Sequence, residues 1–98
     1  MLIEKIEGVR VFKLVTGEEV VGRCTQRDNG NFSVTSPLRI VVQRAGNGEY
    51  APAFTAWLAT SRDDQEYEIY ANQLIVVPYE PPSEFHNAYV QATSRLDL

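Results

Sequence analysis

Short apolar, β-branched runs set off by turn residues recur along most of the chain, which reads mostly as β. Residues 9–15 are apolar and β-branched, with Arg10 and Lys13 interspersed, and predict a first strand. Thr16-Gly17-Glu18 supplies a turn, since Gly17 accepts a positive φ. Residues 19–27 predict a second strand carrying Val20, Val21 and Cys24. Gly22 inside that strand marks a bulge or a sharp bend. Asp28-Asn29-Gly30-Asn31 is the strongest turn signal, with Asn-Gly the favoured centre of a type I′ hairpin. Residues 31–44 therefore pair back on the second strand. Ser36-Pro37 is expected to interrupt them, because proline gives no ladder donor. Ala45-Gly46-Asn47-Gly48 is the next loop. Residues 51–60, with Phe54, Trp57 and Leu58, predict a fourth strand, and residues 61–68 an acidic solvated loop. Residues 67–79 hold the fifth strand, centred on Leu74-Ile75-Val76-Val77 and ended by Pro78, Pro81 and Pro82.

The period changes in the tail. Phe85, Ala88, Tyr89, Ala92 and Leu96 share one face of a helix, with Ser83 as N-cap and Glu84 in the first turn. The expected fold is mainly β: a small, strongly bent five-stranded antiparallel barrel with a C-terminal helix. Residues 1–80 form the barrel, and residues 81–98 are a helix and tail packed on the same domain.

Composition adds bounds rather than a function. Ninety-eight residues suit one domain with a thin core, to which association between copies would add. The net charge of −4, from nine basic and thirteen acidic residues, argues against a general DNA binder. One cysteine, Cys24, allows no internal disulfide, and together with the one histidine, His86, it offers little for a metal site. No cofactor is expected. No apolar run suits a membrane span, and MLIEKIEG carries acids where a secretory signal needs a long apolar stretch. The expectation is a soluble cytoplasmic protein without a membrane partner.

SH3-like, Sm-like and OB barrels all fit the strand count, and spacing points among them. Phe12-Lys13-Leu14-Val15-Thr16-Gly17-Glu18-Glu19-Val20-Val21-Gly22, followed six residues later by Asp28, resembles the first motif of the Sm and Sm-like (LSm/Hfq-type) proteins. Ile69-Tyr70-Ala71-Asn72-Gln73-Leu74-Ile75-Val76 is similar to their second motif. Leu-Val-Thr-Gly-Glu-Glu near the start, a mid-chain tryptophan and a proline-led terminal helix resemble the small members of the family encoded by marine bacteriophages. The family's asparagine after the aspartate falls at Asn31 if the loop is one residue shorter. Its Arg-Gly pair stands here as Tyr70 and Ala71.

The resemblance implies a homomeric ring of roughly five to seven subunits, closed head to tail by strand pairing. It also implies a single-stranded RNA site at Asp28, Asn31, Tyr70 and Asn72. Arg23, Arg27, Arg39 and Arg44, in a stretch whose one acid is Asp28, add positive charge if they share a face; otherwise they are solvent-facing strand residues. Residues 51–60 and 73–77 carry no lysine or arginine to discourage edge pairing. The expected function is non-catalytic binding of single-stranded RNA by the ring, with no small-molecule substrate. The alternative is a phage structural or adaptor protein whose ring binds other proteins, located in the host-cell cytoplasm if phage-encoded. Trp57 reads as core or interface. Cys24 reads as a buried apolar residue, and Asp63, Asp64, Glu66 and Glu68 lack calcium-loop spacing.

Overall fold

The computed structural model describes residues 5–58 and 65–94. Its strands are β1 (Glu7–Lys13), β2 (Glu19–Gln26), β3 (Phe32–Arg44), β4 (Tyr50–Ala56) and β5 (Glu66–Ile69). A single 3-10 turn at Ala71–Gln73 and helix α1 (Ser83–Ser94) follow. The strands make one antiparallel five-stranded sheet in the order β1-β2-β3-β4, with β5 on β3. β3 organises it. β2 runs along one side, while on the other side β5 takes Phe32 to Thr35 and β4 takes Leu38 to Arg44.

The handover from β5 to β4 falls at a bulge. Val21 pairs with Leu38 and Arg23 with Thr35, so Gly22 alone faces Ser36 and Pro37. β3 runs through Pro37 without ending, because the bulge asks no ladder bond of it. Ser36 adopts φ 50°, in the left-handed region. A Cβ on Gly22 would stand 2.5 Å from Val34 Cγ1 and 3.3 Å from the Thr35 carbonyl oxygen, so only glycine fits the bend.

One surplus residue also exchanges the faces of β3. Phe32 and Val34 join Phe12, Leu14, Val20, Cys24 and Ile69 in the main core, against which Trp57 and Leu74 pack. Beyond the bulge, Leu38 and Ile40 turn to the opposite face and meet Val9, Val21, Phe54 and Tyr89. The sheet is therefore buried on both faces. Helix α1 covers the second one through Tyr89, which is fully buried. Its hydroxyl donates to the Ser36 carbonyl at 2.9 Å, and its ring meets Phe54 edge-on at 6.4 Å. The first intrahelical bond runs from His86 N–H to the Pro82 carbonyl, which makes Pro82 the N-cap and Ser83 the first helical residue. Leu96 lies outside the described residues.

Several sequence expectations need correction. The hairpin turn at Asp28-Asn29-Gly30 is not type I′, since Gly30 has φ 90° but Asn29 is not left-handed. Leu14–Glu18, Arg27–Asn31 and Ala45–Glu49 share one pattern. In each, the first residue's N–H reaches the last residue's carbonyl, while a left-handed glycine donates back to the first residue. This is a tight turn followed by a glycine bulge, and it also joins twisted strands. The fourth strand ends at Ala56, and its expected end at Thr60 and the acids Asp63 and Asp64 lie outside the described residues. The last strand is Glu66–Ile69, not the Leu74–Val77 run. That run returns along β1 through bridges at Leu14–Leu74 and Val11–Tyr79. Residues 74–79 face only residues 11–14, so the surplus, with Pro78 as a missing donor, breaks the ladder. The five strands accordingly do not close into a barrel.

Gly22→Ala should destabilise the chain by about 1–3 kcal/mol in urea unfolding, as an overpacked bend does. Gly46→Ala, whose Cβ meets nothing within 4 Å, is the control and should shift stability by under about 0.5 kcal/mol.

Candidate functional site

The tip of the β2–β3 hairpin is tied to the corner after β5. Asn31 makes the tie with both ends of its amide. Its Oδ1 accepts the Ala71 N–H at 2.9 Å, and its Nδ2 donates to Glu68 Oε2 at 2.8 Å. Asn29 donates to the same carboxylate oxygen at 3.4 Å. These donors hold the Glu68 carboxyl below the usual carboxylate range, Asn31 contributing most. Tyr70, 55% exposed, leads into the 3-10 turn, and Asn72 lies in that turn beside Gln73. The structure thus brings Asn31, Tyr70 and Asn72 to one corner. Asn31 is engaged at both ends there by the fold itself. Asp28 stands apart from the corner, exposed and ion-paired with Lys5, which lowers its pKa.

The arginines do not converge. Arg23, and Arg27 just past the end of β2, lie on the Tyr89 side of the sheet with Thr25, opposite Thr35 and Ser33 of β3. Together with Glu66 they line a shallow groove of about 400 Å³. Arg27 lies 3.8 Å from Glu66, which also accepts from the Ser33 hydroxyl. The Arg23 guanidinium sits 5.8 Å from the Tyr89 ring centre. Arg39 follows the bulge, so it faces the other side of the sheet with its cross-strand partner Val20, and its Nε lies 4.0 Å from Glu18. Arg44 is at the far end of the β3–β4 hairpin. The bulge at Ser36-Pro37 is what divides the basic set.

Cys24 is buried in the main core, and burial pushes its thiol up to about 11 against the pull of Arg10. At neutral pH it is a protonated, inert thiol. His86 belongs to α1, on the opposite face of the sheet, so the two cannot act as a nucleophile–base pair. Among the described residues no three His, Cys, Asp or Glu side chains are grouped to hold a metal ion. No described helix is long and apolar enough to cross a membrane.

Two surface features escape the sequence reading. Ile75, Val76 and Val77 are exposed beside a groove of about 550 Å³ walled by Ile6, Phe32 and Pro78. Glu18 and Glu68 stand with Trp57 and Tyr70 around a second groove on the other side of the 3-10 turn. Only the pairing of distant residues creates either one. The lone tryptophan was the one local signal.

Asn31→Ala should lower stability by about 1–2 kcal/mol, because it leaves the Ala71 N–H and one Glu68 oxygen without this partner. Glu68 has a lower pKa folded than unfolded, so its contribution is present above about pH 4.3 and lost as pH falls through the folded value. Urea midpoints measured from pH 6 down to pH 3 should fall less steeply in Glu68→Gln than in the parent.

Neither the protein-family models nor the curated proteins compared with this chain match it.

Proposed function

We propose that the chain is a non-catalytic, Sm-like subunit whose copies join edge to edge into a homomeric ring, and that the ring serves as a structural or adaptor protein. The observation that carries this reading is a pair of open edges. β4 pairs with β3 alone, which leaves its other side free among the described residues. The returning residues 74–79 expose Ile75, Val76 and Val77, the last at 70%. Neither edge carries a lysine or arginine to prevent pairing. A head-to-tail contact between unlike edges closes into a ring when the rotation fits. The return of residues 74–79 along β1 curls the open sheet, which supports likening it to an unclosed barrel of the Sm type. The split of the arginines over two faces supports protein partners over nucleic acid.

Binding of single-stranded RNA is the second reading. It draws on the meeting of Asn31, the exposed Tyr70 and Asn72 at one corner. Tyr70 offers a stacking face and Asn72, two residues on, an amide for a base edge, and a ring would repeat the corner in every copy.

Light scattering at micromolar concentration should give a mass of roughly five to seven subunits, and Val76→Lys should shift it toward smaller species. A strict monomer overturns the ring. Titration with short U-rich and A-rich oligonucleotides should show no binding at physiological salt if the adaptor reading holds. Tight binding that Tyr70→Ala abolishes would establish the RNA reading instead.

A further inference from the structure

The groove beside the 3-10 turn has a composition of its own. It encloses about 380 Å³, and Trp57, Leu58 and Tyr70 supply its flat and apolar walls. Its polar rim is formed by Glu18, Glu68 and Gln73, and no lysine or arginine lines it among the described residues. Trp57 also packs on the main core, which fixes one wall. Tyr70 is held by the turn that Asn31 pins. Both rim carboxylates are fixed by neighbours: Glu18 accepts from the Thr16 hydroxyl at 3.1 Å, and Glu68 from Asn31 at 2.8 Å. Arg39 reaches Glu18 only at 4.0 Å, the outer limit of an ion pair, and Arg27 acts on Glu68 through space as the weakest of its partners, so both carboxylates are only weakly neutralised.

Aromatic faces carry negative charge density, and two carboxylates add to it. Such a groove attracts cations and repels anions. A nucleotide on Tyr70 from this side would share the groove with Glu18 and Glu68, whose charge repels a phosphate. A lysine ammonium is compact and strongly hydrated, and gains little from flat walls. A guanidinium is planar, sheds water more easily, stacks on aromatic rings and pairs with carboxylates by two parallel bonds.

We propose that the Trp57–Tyr70 groove, with Glu18 and Glu68 at its rim, receives an arginine side chain from a partner protein. This deepens the adaptor reading by naming the chemistry of the partner. It rests on that reading but not on ring formation, which the mass measurement tests separately.

The chain's one tryptophan is the reporter. A blocked Gly-Arg-Gly peptide, titrated at low ionic strength, should change Trp57 fluorescence saturably. The same peptide with neutral citrulline in place of arginine should bind about three- to fivefold more weakly or not at all. Glu18→Gln and Tyr70→Ala should each weaken the arginine peptide about three- to fivefold with an unchanged circular dichroism spectrum. Added salt should weaken it as well. An absent response to the arginine peptide overturns the proposal, as does an equal response to the citrulline peptide. A stronger saturable response to uridine monophosphate than to the arginine peptide also overturns it, and would return Tyr70 to the RNA reading.

Discussion

The fold depends on one unequal pairing, a single residue of β2 against two of β3. Gly22 faces Ser36 and Pro37, and the surplus residue turns β3 over partway along its length. Before the bulge its even positions feed the core around Phe12, and after it they feed the cluster around Tyr89. A 13-residue strand thus serves two cores, one on each side of the sheet. The bulge leaves the Ser36 carbonyl outside the ladder, and the Tyr89 hydroxyl satisfies it from the helix. The terminal helix is therefore joined to the bend by a directed bond as well as by apolar contact.

The surface follows from the same feature. Because β3 reverses its faces, Arg23 and Arg27 end on one side of the sheet and Arg39 on the other. Among the described residues these arginines therefore form no single basic face. What remains concentrated is apolar edge and aromatic groove. Ile75 to Val77 bulge away from β1 because the returning segment is longer than the strand it follows. Trp57 and Tyr70 line one groove at the β5 corner, where Asn31 ties the Ala71 backbone and the Glu68 carboxylate. These surfaces suit protein contacts.

Much of this was legible from local chemistry. Gly22 announced the bend, the turn glycines announced the hairpins, and the spacing from Phe85 to Ala92 announced the helix. The errors share a physical cause. Leu74-Ile75-Val76-Val77 has every local property of a strand, but strand formation needs a partner in register, and β1 supplies only two bridges. Tyr67–Ile69 reads as the start of the last strand and Glu66 as the end of an acidic loop, yet β3 offers all four residues a free side before the bulge. Asn-Gly favours one turn in isolation, while loop length selected another. At the candidate site, motif spacing points to Asn31 and Tyr70, whose neighbourhood the Asn31 bond to Ala71 shows. Nothing local points to Glu68 and Glu18 beside them.

Tyr89 secures the bend at Gly22 and Ser36. Tyr89→Phe removes the hydroxyl and leaves the ring, so packing on Phe54 is retained. The most direct measurement is amide hydrogen exchange of this variant, read together with its urea stability. A loss of about 1 kcal/mol or more is expected, with faster exchange concentrated on β2 and β3 around residues 21–38. Unchanged stability and unchanged protection at the bulge would contradict it.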